Sequence, residues 1–75
     1  MKYYGRIDLE AGEYWILYRV DNSKNIGQFY VAASDTWKDS ENAFKAPYDT
    51  TYYDELTEEQ AFEVMAKMRA ELEEG

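Results

Sequence analysis

Between Lys45 and Lys67 the chain carries six carboxylates and no basic side chain: Asp49, Asp54, Glu55, Glu58, Glu59 and Glu63, with Tyr48, Tyr52 and Tyr53 set among them. Carboxylates at this density suit cation coordination, acid–base pairs, or salt-sensitive attraction to a basic surface. The first two find little support. Asp21-x-Ser23-x-Asn25 faintly resembles a calcium loop, but Ile26 stands where that loop requires glycine and Ala32 stands at its twelfth position. Glycosidase-type chemistry needs two facing carboxylates in a cleft, and 75 residues offer little cleft. The chain has no histidine and no cysteine, which removes the commonest general base and the commonest metal ligands. Gly5, Gly12, Gly27 and Gly75 lie too far apart for a phosphate loop. The sequence therefore predicts no enzyme, no catalytic residue, no metal and no cofactor.

The net charge is −8. Residues 1–34 hold four acids and four bases, so all of it lies in residues 35–75. Nucleic acid and anionic membranes are both negative, and direct binding to either is disfavoured. A basic protein surface is the partner this charge favours. Glu58 and Glu59 suit a helix N-terminus, where carboxylates meet the positive end of the dipole. Glu63–Lys67, Lys67–Glu71 and Arg69–Glu73 are spaced for i,i+4 pairing, whereas the acids of residues 49–59 have no such partner. The expected partner-binding residues are Tyr48, Asp49, Tyr52, Tyr53, Asp54, Glu55, Glu58, Glu59 and Glu63. If Glu55 continues the helix, Glu55, Glu59 and Glu63 form a row roughly 5–6 Å apart at Cβ.

Thirteen of the 75 residues are aromatic, eight of them Tyr. Trp15, Phe29 and Phe62 read as core, since a small domain gains buried area from large side chains. Tyr48, Tyr52 and Tyr53, lying among unpaired acids, read as interface, with one of the adjacent pair Tyr52 and Tyr53 able to face the core instead.

The length fits one domain, residues 1–75. Segment 2–10 alternates, with Tyr3, Ile7 and Leu9 on one side. Ala11-Gly12-Glu13 reads as a turn. Segment 13–20 places Tyr14, Ile16, Tyr18 and Val20 on one face and Trp15, Leu17 and Arg19 on the other, a pattern for a central strand covered on both sides. Asp21 to Asn25 is a turn, and residues 26–34 are a third strand. Pro47 ends any short helix around 39–45, and Thr50-Thr51-Tyr52-Tyr53 suits a fourth short strand. Thr57 and Gln60 form a capping-box pattern, with Leu56 and Ala61 placed as a hydrophobic staple. Ala61, Met65, Met68 and Leu72 then recur at helical spacing with Phe62 beside them, so a helix should run from about Glu58 to about Glu73, with Gly75 unable to extend it. The expected fold is α+β: a three- to four-stranded antiparallel meander with one C-terminal helix on one face. Residues 1–6 lack a signal peptide's apolar run and no stretch reaches the length of a membrane span, so the expected location is the cytoplasm.

In size, element order and charge, the run Asp49…Asp54-Glu55…Glu58-Glu59…Glu63 and the end Glu71-Leu72-Glu73-Glu74 resemble those of small acidic antagonists of phages and mobile elements, the DNA-mimic anti-CRISPR and anti-restriction proteins. The resemblance implies an inhibitor or adaptor that presents carboxylates where a nucleic-acid-handling protein expects phosphates, in a host cytoplasm. The alternative reading is an assembly module that self-associates, as a homodimer, through an aromatic sheet face of Trp15, Leu17 and Tyr4.

Overall fold

A computed structural model describes residues 1–49 and 51–74, the side chain of Glu74 excepted. Its elements are β1 (Lys2–Asp8), β2 (Glu13–Asp21), β3 (Ile26–Val31), β4 (Thr36–Asp39), a 3-10 helix (Glu41–Tyr48), β5 (Tyr53–Leu56) and α1 (Glu58–Glu74). The sheet is five-stranded and antiparallel, in the order β4-β3-β2-β1-β5. The α+β architecture with a C-terminal helix is as expected, but the strand count is not three or four. The meander continues into β4, and β5 returns to pair outside β1. The segment expected as the fourth strand begins at Thr50, outside the described residues; Thr51 and Tyr52 form a turn, and pairing starts only at Tyr53. β1 stops at Asp8 rather than Glu10, because Asp8 Oδ1 accepts bonds from Glu10 N and Ala11 N and closes a turn. β3 stops at Val31, three residues short of Ser34.

The central-strand reading of β2 is right, and both faces of the sheet are covered. On one face Tyr4, Tyr18 and Val20 pack with Ala43 and Ala46 of the 3-10 helix; on the other Leu17, Tyr30 and Leu56 pack with Ala61 and Val64 of α1. Eight residues is long for a 3-10 helix. Its three-residue period stacks Ala43 and Ala46 on one side, both fully buried, so the backbone sits close on the sheet. Pro47 lies inside this helix rather than ending it earlier.

A β-bulge corrects the face assignment in β2. Arg6 pairs with Ile16 and Ile7 with Tyr14, which leaves Trp15 as the extra residue. Tyr14 therefore turns to the α1 face, while Ile16 stays with Tyr18 on the opposite face. Trp15, expected in the core, is 57% exposed. Trp15, Leu17 and Tyr4 thus share no open face: Leu17 is 1% exposed beneath α1, and Tyr4 is buried in the cluster under the 3-10 helix.

Helix α1 begins as its capping box requires. Thr57 N donates to Gln60 Oε1 at 2.9 Å and Gln60 N donates to Thr57 Oγ1 at 3.1 Å, and Leu56 and Ala61 are buried together. The buried stripe is Ala61, Val64, Met65 and Met68. Leu72, expected on that stripe, and Phe62, expected beside it in the core, are exposed, because α1 turns Ala61 rather than Phe62 to the sheet and its packing ends at Met68. Gly75 lies outside the described residues.

Candidate functional site

Strand β5 places its acids on opposite faces. Tyr53 packs against the Tyr4–Tyr18 cluster, with the Tyr18 ring 5.5 Å from its own. Burial, and then a hydrogen bond with Tyr53, push the Tyr18 phenol above its usual pKa. The next residue, Asp54, points the other way and accepts a bond from Tyr14 Oη at 2.9 Å. Glu55 returns to the first face, 3.4 Å from Lys2 Nζ. Two acids of residues 49–59 therefore do have partners, supplied by β2 and β1 rather than by helical spacing. The Lys2–Glu55 pair is exposed at both ends, and such pairs are typically worth under 1 kcal/mol.

The row Glu55–Glu59–Glu63 does not form, since Glu55 is in a strand and α1 starts at Glu58. Glu58, Glu59 and Glu63 are exposed on α1, and among the described residues none has a cation within ion-pair distance. Asp49 is half-buried; its backbone carbonyl accepts from Tyr53 N at 3.1 Å and fixes the turn into β5. Tyr48 is exposed at the end of the 3-10 helix and Tyr52 in the turn before β5. Arg69 pairs with Asp35 at 3.3 Å rather than with Glu73. Asp35 also accepts from Tyr30 Oη, which ties α1 to the β3–β4 turn. Desolvation, reinforced by Asp35, raises the Tyr30 pKa to about 12.

Eight of the nine expected residues thus remain at or near the surface, spread over the end of the 3-10 helix, the turn before β5, β5 itself and α1, and Tyr53 is the one built mainly into the core. A second feature was not expected. The Arg6 guanidinium carbon lies 5.4 Å from the Trp15 ring, 5.0 Å from Tyr52 and 5.9 Å from Tyr53. Rings around a guanidinium attract it through their negative faces. Arg6 has no carboxylate partner among the described residues. The cluster depends on the bulge, which swings Trp15 toward Arg6, and on β5 pairing with β1, which brings Tyr52 and Tyr53 alongside. Neither event has a short-range sequence signal.

Among the described residues no group of three or more Asp, Glu, His or Cys is placed to hold a metal ion, and no helix is long and apolar enough to cross a membrane. No family model, characterised protein or solved structure matches the chain.

Proposed function

We propose that this chain is a non-enzymatic binding protein that docks on a basic surface of a nucleic-acid-handling complex, as an inhibitor or adaptor of the DNA-mimic type. The observation that carries the reading is the placement of Glu58, Glu59 and Glu63 on the solvent side of α1 with no cation paired to them among the described residues. Their charge is left for a partner. Asp54 and Glu55 on the edge strand β5 add one exposed carboxylate to each face of the sheet, the first already bonded to Tyr14 and the second paired with Lys2. Charge of this kind raises association rate and specificity more than affinity, so exposed Tyr48 and Tyr52 would supply contact area. Capture from the native host followed by mass spectrometry tests the reading. It predicts a nuclease, a helicase or a guide-RNA complex in the eluate; recovery of metabolic enzymes or copies of the chain alone would contradict it.

A further inference from the structure

We propose that the end of the sheet around Trp15 anchors a basic amphipathic segment of the partner, with an apolar side chain seated beside Trp15 and flanked by Lys or Arg. The inference rests on the reading that the partner is basic, and adds where and how it is gripped.

Single exposed apolar residues are ordinary, whereas clustered ones mark interfaces. Four large apolar side chains cluster here: Leu9 is 87% exposed, Trp15 57%, Tyr52 53% and Leu72 54%. They line two open clefts of about 510 and 480 Å³ that share Trp15 and Asp8, one running to Leu72 at the end of α1 and the other to Leu9 and Tyr52. Arg6 lies against both the Trp15 and Tyr52 rings, so these rings are held in place before any partner arrives. Ordering that is already in place is not lost again on binding. Trp, Tyr and Arg are also the residue types that carry most binding energy at interfaces.

The rim selects the occupant. Asp8, Glu10 and Glu13 line the clefts, and Arg6 is the only base among the described residues that does. A second copy would bring two such rims and two net charges of −8 together, and an anionic membrane would be repelled likewise. Lys and Arg beside an apolar side chain match both the rim and the floor.

Binding of the full chain to three synthetic peptides tests this: a helical Leu/Lys peptide, a Ser/Lys peptide of equal charge, and a Leu/Glu peptide. The Leu/Lys peptide should bind at least tenfold tighter than the Ser/Lys peptide, shift Trp fluorescence, and lose that advantage in Trp15→Ala and Leu72→Ser. Both replaced residues are exposed, and an unchanged melting temperature shows that the variants fold; if Trp15→Ala unfolds, Leu72→Ser and Leu9→Ser carry the test. The Leu/Glu peptide should not bind. Equal affinity for the two Lys peptides, or indifference to the substitutions, overturns the anchor; if the Ser/Lys peptide still binds and weakens in Glu59→Gln and Glu63→Gln, the acidic-surface reading survives. Binding of neither Lys peptide contradicts both. Sedimentation of the free protein as a dimer that Trp15→Ala dissociates assigns the patch to a second copy and also overturns the proposal.

Discussion

The Tyr14 ring crosses β1 over Gly5, and its hydroxyl donates to Asp54 on β5 at 2.9 Å. A Cβ at position 5 would sit 2.7 Å from Tyr14 Cδ1, closer than such carbons approach, and 3.0 Å from Leu56 Cδ1, so the Tyr14 ring would have to shift. Gly5→Ala should therefore destabilise the fold by about 1–3 kcal/mol, the usual cost of overpacking. Urea unfolding checks this; a midpoint equal to the parent's would mean the ring moves aside at no cost. Gly27 stands in the same relation to Phe44 on the opposite face, its added Cβ 2.7 Å from Phe44 Cε2. Gly27→Ala should couple to Phe44→Leu, the double variant losing less than the two single losses combined.

The adjacent tyrosines should separate stability from binding. Tyr53→Ala removes a ring packed on Tyr18 and should lower the melting temperature, at a cost of about 1–3 kcal/mol for a half-buried aromatic. Tyr52→Ala should change stability by no more than about 0.5 kcal/mol, as is usual at exposed positions, while speeding dissociation from the partner. Calorimetry and surface-bound kinetics on both variants read the two effects. A large stability loss in Tyr52→Ala with unchanged dissociation would assign Tyr52 to the fold.

Much of this architecture was legible in the sequence, and what was not has a common cause. Thr57, Gln60, Leu56 and Ala61 act within one turn, so the start of α1 could be read from spacing alone. The bulge at Trp15 could not, because period two continues to look sound through residues 13–20 although one residue is extra. That single insertion moved Tyr14 to the face opposite the one expected and left Trp15 exposed at the sheet end beside Arg6. β5 was misplaced toward Thr50 because its pairing with β1 joins residues some 50 positions apart. The same distance hid the partners of Asp54 and Glu55. Glu58, Glu59 and Glu63 were legible as exposed acids because they follow directly from the helix.

Alkaline pH should weaken the fold through Tyr30. Its folded-state pKa of about 12 lies above the ordinary 10.0, so the folded protein holds the phenol proton more tightly than the unfolded chain does. That contribution is complete below pH 10 and is lost as pH rises from 10 toward 12. Tyr4, Tyr14 and Tyr18 are raised as well, chiefly by burial, and act in the same direction. Urea midpoints should fall across this window, and less steeply in Tyr30→Phe. An unchanged slope in that variant would place the alkaline loss elsewhere.

The capping box is open to a simple check. Thr57→Ala deprives Gln60 N of its acceptor and should cost about 1 kcal/mol, with Thr57→Ser restoring most of it. Circular dichroism melts of the two variants suffice; equal losses in both would show that the hydroxyl bond contributes nothing.

The central claim is that carboxylates of α1 occupy a partner's nucleic-acid surface. It is tested most directly by competition: labelled duplex DNA is bound to the captured partner, and the chain is added at salt from about 50 to about 500 mM, a range over which screening grows several-fold. DNA should be displaced at low salt, less so as salt rises, and much less by the Glu58→Gln, Glu59→Gln, Glu63→Gln triple variant. A ternary complex that keeps its DNA, or displacement indifferent to both salt and the triple substitution, would contradict the account.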